Sequence, residues 1–135
     1  MMASIDAIEG IGHKYATKLR KARIRTTDAL LRRGADRAGR KQLVAETGFT
    51  THQIMEWVNR ADLFRVKGIG EEYSDLLEAS GVDTVKELRT RNVANLTAKM
   101  AEINTKKRLV RRLPTESMVE RWVAEAKKLN PVVKY

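Results

Sequence analysis

Gly10-Ile11-Gly12, with His13 and Lys14 directly behind it, is the stretch whose residue types and spacing could act on another molecule. Glycine reaches positive φ freely, so two glycines around one apolar residue make a tight backbone turn. A helix that starts there presents N–H groups without intrahelical partners, at the positive end of its dipole. That is an anion site. Gly10, Ile11, Gly12, His13 and Lys14 are therefore read as phosphate contacts, with Ile11 pointing inward. Lys18 and Lys21 join them, because positions i, i+4 and i+7 from Lys14 share one helical face. Arg108, Arg111 and Arg112 form a second basic group that adds long-range attraction. The competing reading is that the glycines only permit a close turn between packed helices.

Other chemistries find little support. The chain has no cysteine, so disulfides, thiolate metal sites and cysteine nucleophiles are excluded. His13 and His52 lack the spacing of a metal site. Neither glycine pair is followed by the Gly-Lys-Ser/Thr of a phosphate-binding loop. No cofactor or metal is expected, and no enzyme.

The turn occurs twice. Val66-Lys67-Gly68-Ile69-Gly70 repeats Ile8-Glu9-Gly10-Ile11-Gly12, and Tyr73 and Leu77 repeat Tyr15 and Leu19 at the same offset, without a gap from Ile8 to Leu30. A fixed period means one structural unit used twice. Units below about 60 residues are marginal alone, so two of them sharing a core suit a chain of 135 residues. The boundary is expected near 62/63, giving units 1–62 and 63–135. No run shows strand alternation, and the fold class is all-α.

The elements follow in order. Met1 to Ala7 read as a short lead-in turn. A helix over His13 to Ala22 buries Tyr15, Ala16 and Leu19. Thr26 or Thr27 caps a helix that Gly34 ends, and a further helix from about Asp36 stops at Gly48 in the left-handed conformation. Thr50 or Thr51 caps the helix of Ile54, Trp57, Val58 and Ala61. In the second unit Thr84 and Glu87 form a capping box. Asn104 is the expected left-handed stop of the following helix, and Thr115 starts the last one. Trp57 and Trp122 lie on apolar faces and are read as core.

The glycine turn resembles that of helix-hairpin-helix proteins, a class whose turn amides grip phosphates along the minor groove without reading bases. Ile8 to Gly12, Thr47-Gly48, Trp57 to Leu63, the second Gly-Ile-Gly and Leu109 to Arg112 together resemble a bacterial family of domains of unknown function, family 4332. That resemblance implies a tandem helix-hairpin-helix architecture, two such units packed into one compact helical protein, and brings no activity with it. Lys14 also stands where helix-hairpin-helix DNA glycosylases carry an active lysine. Those enzymes need an aspartate further on, and the position eighteen residues later is Arg32, so glycosylase chemistry is not expected.

Charge separates the copies. Residues 8–30 hold six bases against Glu9 and Asp28, whereas residues 66–88 hold Lys67 and Lys86 against six acids. His13-Lys14 becomes Glu71-Glu72, and carboxylates at a helix start repel a phosphate. Residues 89–112 carry eight bases against Glu102 alone. With a net charge of +10, the expected function is sequence-independent binding of duplex DNA through the first turn. The alternatives are a protein-interaction or self-assembly module using the acidic second unit, and binding to RNA or the ribosome. Nothing resembles a signal peptide or a membrane span, so the expected location is cytoplasmic, with no membrane partner.

Overall fold

The computed structural model describes residues 3–8 and 10–135. Met1 and Met2 of the lead-in, and Glu9 of the first glycine turn, lie outside the described residues. A 3₁₀ turn over Ile5–Ala7 leads into α1 (Gly12–Lys21), α2 (Thr27–Gly34), α3 (Arg37–Thr47), α4 (Thr51–Leu63), α5 (Glu71–Ala79), α6 (Val85–Leu88), α7 (Val93–Lys107) and α8 (Glu116–Lys128). The protein is all-α. Among the described residues the only β pairing is an isolated bridge between Ser4 and Thr26.

Most helices are started by a side chain that accepts an otherwise free N–H. Thr26 caps α2, Asp36 caps α3, and Thr50 with Gln53 forms a full capping box on α4. Asn92 caps α7 and Thr115 caps α8. Gly48 stops α3 at φ 77°, as its lack of a Cβ allows.

Two local expectations are corrected. At α6 only half of the capping box forms. Thr84 accepts from the Glu87 amide, whereas the Glu87 carboxylate takes a backbone hydrogen bond at Asp83 and lies 3.9 Å from Arg91; the buried carboxylate of Asp62 on α4 takes the Val85 N–H at 2.8 Å. Asn104 does not stop α7. The helix continues to Lys107 and Arg108 takes the left-handed position, while the Asn104 amide binds both the N–H and the carbonyl of Val110. Gly34 is the last residue of α2, as expected, and is buried. A Cβ there would sit 2.4 Å from Val58 Cγ2, so its absence lets α2 approach α4.

Gly39 serves a tighter corner. A Cβ on it would lie 2.0 Å from the Arg33 carbonyl oxygen, which is backbone and cannot swing away. Gly39→Ala is therefore expected to lower the unfolding free energy by about 1–3 kcal/mol, the usual loss on overpacking, even though alanine is the better helix former. Urea unfolding measures it; an unchanged or raised midpoint would contradict the close α2–α3 corner.

Two apolar clusters form the core. The first gathers the 3₁₀ turn, α1, α2, α3 and α4 around Ile5, Ile11, Leu19, Leu30, Leu43 and Trp57. The second gathers Leu63, Val66, Ile69 and the later helices around Leu77, Met100 and Trp122. Ile11 and Ile69, the residues between the paired glycines, are both buried. The chain end does not stay with the second cluster. Val132 and Val133 pack on the first, the Lys134 N–H donates to the Ala35 carbonyl, and buried Arg40 donates to the carbonyls of Gly34, Ala35 and Lys134.

α4 and α5 meet around a buried arginine. The Arg60 guanidinium contacts Glu78, lies 2.9 Å from Asp75 and 3.8 Å from Glu56, and its side chain is 6 % exposed. Burial pushes the Glu78 carboxyl above its ordinary value. Arg60 pulls it back, and Glu56, Asp83 and Asp75 push it further up. A raised folded-state value means the folded protein holds that proton more tightly than the unfolded chain does. Stability from this group is therefore fully present below the ordinary glutamate range and is lost as pH rises through the raised value. Glu78→Gln is expected to flatten that slope in urea midpoints measured against pH; a variant with the wild-type slope would contradict the assignment.

Candidate nucleic-acid interface

The two glycine turns share a hydrogen bond and differ in how they enter their helices. The Ile11 N–H donates to the Ile8 carbonyl at 3.2 Å, and the Ile69 N–H to that of Val66 at 3.1 Å. Gly10 and Gly68 sit at the same place in each turn with φ 91° and 93°. Gly12 is also left-handed at φ 61° and opens α1, whereas Gly70 caps α5 from an extended conformation. Each turn rests on a tryptophan. The Trp57 indole nitrogen lies 3.9 Å from a Cβ placed on Gly10, and that of Trp122 lies 3.2 Å from one on Gly68. Both rings are buried, and neither is a platform for stacked bases.

Among the described residues α1 and α5 have no side-chain cap, unlike the other helices. Around α1 the side chains of His13, Lys14, Lys18 and Lys21 are exposed, and no acid stands in its first turn. Lys14 and Lys21 are two helical turns apart on one face and make no ion pair among the described residues. Lys18 is partly committed to the fold. Its ammonium lies 5.1 Å over the Phe49 ring and 3.7 Å from a Cβ placed on Gly48, at the negative end of the α3 dipole. Phe49 in turn packs edge-on against Tyr15 and Trp57, so Tyr15 is a partly exposed flank of the core. Lys18 and Lys21 border a hollow of about 420 Å³ with Glu46, whose carboxylate is taken by Arg33.

The second turn already holds an anion. Glu125 on α8 accepts the Lys67 N–H at 3.1 Å. Three residues after Trp57, the corresponding place on α4 is Arg60, turned away toward α5. Glu71 and Glu72 occupy the first turn of α5.

The basic group at Arg108, Arg111 and Arg112 lies in the loop after α7. These side chains are exposed, and the Arg112 carbonyl accepts from the Tyr73 hydroxyl at 3.1 Å, which places their loop beside α5. Among the described residues no hydrogen bond or ion pair links the two basic groups. Sequence reasoning missed Arg40 and Arg60, which count toward the net charge but lie 5 % exposed inside the fold. The signal was present, since Arg60 falls three residues after Trp57 and Arg40 three before Leu43, on buried faces.

The model of a family described as a domain of unknown function, DUF4332, matches residues 9–129. The chain belongs to this family. The matched span holds α1 through α8 and the second turn entire, and leaves the 3₁₀ turn and the tail over 130–135 outside. Neither a curated protein nor a solved structure matches the chain. Among the described residues no helix is long and apolar enough to cross a membrane.

Proposed function

We propose that this member of the DUF4332 family binds the backbone of duplex DNA in the cytoplasm, without base specificity and without enzymatic chemistry, as a helix-hairpin-helix module. Residues 1–62 are the binding unit and residues 63–135 the supporting one. The observation that carries the reading is the contrast between the copies. Among the described residues α1 has no acid in its first turn, and Lys14 and Lys21 are exposed. The turn before α5 has a carboxylate on its Lys67 amide and two more behind its glycines. A phosphate is attracted to the first arrangement and repelled by the second.

The Gly10, Ile11 and Gly12 backbone, His13 and Lys14 hold the phosphate. Lys18 and Lys21 extend the contact, and Arg108, Arg111 and Arg112 strengthen the field from beside α5. A lysine enzyme is disfavoured because the position eighteen residues after Lys14 is Arg32, and the acids flanking that position are engaged, Asp28 with Arg32 at 3.4 Å and Asp36 with the Gly39 amide at 2.7 Å. Binding is expected with a dissociation constant of about 10⁻⁴–10⁻⁶ M near physiological salt. Fluorescence anisotropy with a labelled duplex across a salt series tests this. Two to four neutralised phosphates give a log–log slope of about −2 to −4, and no binding at low salt would remove the proposal.

Self-association is a second reading that one feature favours. Three carboxylates, Glu56, Asp75 and Glu78, face one buried arginine at the α4–α5 junction, Asp83 adds its charge beside Glu78, and the cluster suits the basic α1 of another copy. Sedimentation at low and high salt decides it: a salt-sensitive oligomer is required, and a monomer at all concentrations rejects it. Stronger binding to structured RNA than to duplex DNA would shift the ligand class.

A further inference from the structure

Two residues other than glycine have positive φ among the described residues, and both are arginines. Arg23 has φ 67° and Arg108 has φ 51°. Each stands where the other copy carries glycine. Arg23 follows α1 as Gly81 follows α5, at φ 92°, with the same hydrogen bonds: the Arg23 N–H to the Arg20 carbonyl and the Gly81 N–H to that of Glu78, both at 3.0 Å. The next amides, Ile24 and Val82, likewise reach back to Leu19 and Leu77, both at 2.9 Å. Arg108 follows α7 as Gly48 follows α3, and each N–H donates to the carbonyl four residues earlier.

The left-handed conformation is unfavourable for any residue with a Cβ and open to glycine. Each unit therefore keeps, at one of two equivalent turns, a residue that the fold would be better without. Neither side chain compensates, because both are exposed and make no hydrogen bond or ion pair among the described residues. Backbone strain that local contacts do not repay is a mark of use. We propose that Arg23 and Arg108 are held there as polyanion contacts, and that Arg23, at the end of the helix that carries Lys14 and Lys21, is a phosphate-binding residue of the first unit. This rests on the polyanion reading above and adds a residue to it.

The test is Arg23→Gly and Arg108→Gly in the full chain, with Arg37→Gln, an exposed arginine at the start of α3, as the charge-matched control. The two glycine variants are expected to raise the urea midpoint while weakening binding of a labelled duplex. The salt slope should fall by about one for Arg23→Gly, with little change in the control. A purely structural arginine cannot move stability and affinity in opposite directions. Midpoints that stay level or fall would remove the strain on which the inference stands. Affinity lost equally in Arg37→Gln, or retained by Arg23→Gly in a wild-type background that does bind, would overturn the inference and leave the duplex reading standing. A wild type that binds no duplex would remove both.

Discussion

Arg60→Ala is expected to lower the unfolding free energy by on the order of 3 kcal/mol, the loss seen when one partner of a buried ion pair is removed. The guanidinium of this α4 residue lies between Glu56, Asp75 and Glu78, and two of these belong to α5. Removing it leaves those carboxylates facing each other across the α4–α5 junction. Asp75 and Glu78 remain 23 % and 36 % exposed on their side chains, which keeps the loss toward the lower end of the buried-pair range. The Arg60 Nε and Nη1 are buried with no acceptor among the described residues, so apolar packing of similar volume can replace the ion pair. Arg60→Met combined with Asp75→Asn and Glu78→Gln is therefore expected to recover most of what Arg60→Ala loses. Urea unfolding measures both. A loss below about 1 kcal/mol for Arg60→Ala would mean that the junction behaves as a screened surface pair.

Lys14→Glu/Lys21→Glu is expected to weaken duplex binding by roughly two orders of magnitude at 0.1 M salt and to reduce the salt slope by about two, one counterion-release step for each lost phosphate contact. Lys18 is left in place because its ammonium also serves Phe49 and the end of α3, so its loss would mix stability with affinity. Lys127→Glu/Lys128→Glu, in the last turn of α8, changes the net charge equally and provides the comparison. Equal losses in both variants would mean that binding follows overall charge and has no address on α1.

How far the sequence could be read depended on the range of the interaction. Caps are local, and Thr26, Asp36, Thr50 and Thr115 stand where short polar residues precede apolar periodicity. The inward isoleucines of the glycine turns were legible for the same reason, because a turn of known shape fixes where its middle residue points. Gly34 and Gly48 look alike in sequence, yet only Gly48 is left-handed; the role of Gly34 depends on Val58, twenty-four residues later. Thr84 and Glu87 satisfied the capping pattern, but only the Thr84 half forms, and a buried aspartate from α4 takes the Val85 N–H beside it. Arg108 could not be anticipated as the end of α7, because an arginine carries no local preference for that conformation.

The candidate interface divides in the same way. The lysine stripe and the acids at the start of α5 followed from charge and spacing. The carboxylate that occupies that turn comes from Glu125, fifty-eight residues after Lys67, and only the packing of α8 brings it there. The position of the Arg108–Arg112 loop beside α5 likewise depends on how α7 returns to Tyr73.

Backbone amide shifts of the isotope-labelled protein on titration with a short duplex at low salt test the central claim most directly. Shifts led by Gly10, Ile11, Gly12 and Lys14, with Lys67 to Glu72 nearly still, are the predicted result. Equal or larger shifts at the second turn, or a response that avoids both turns, would contradict it.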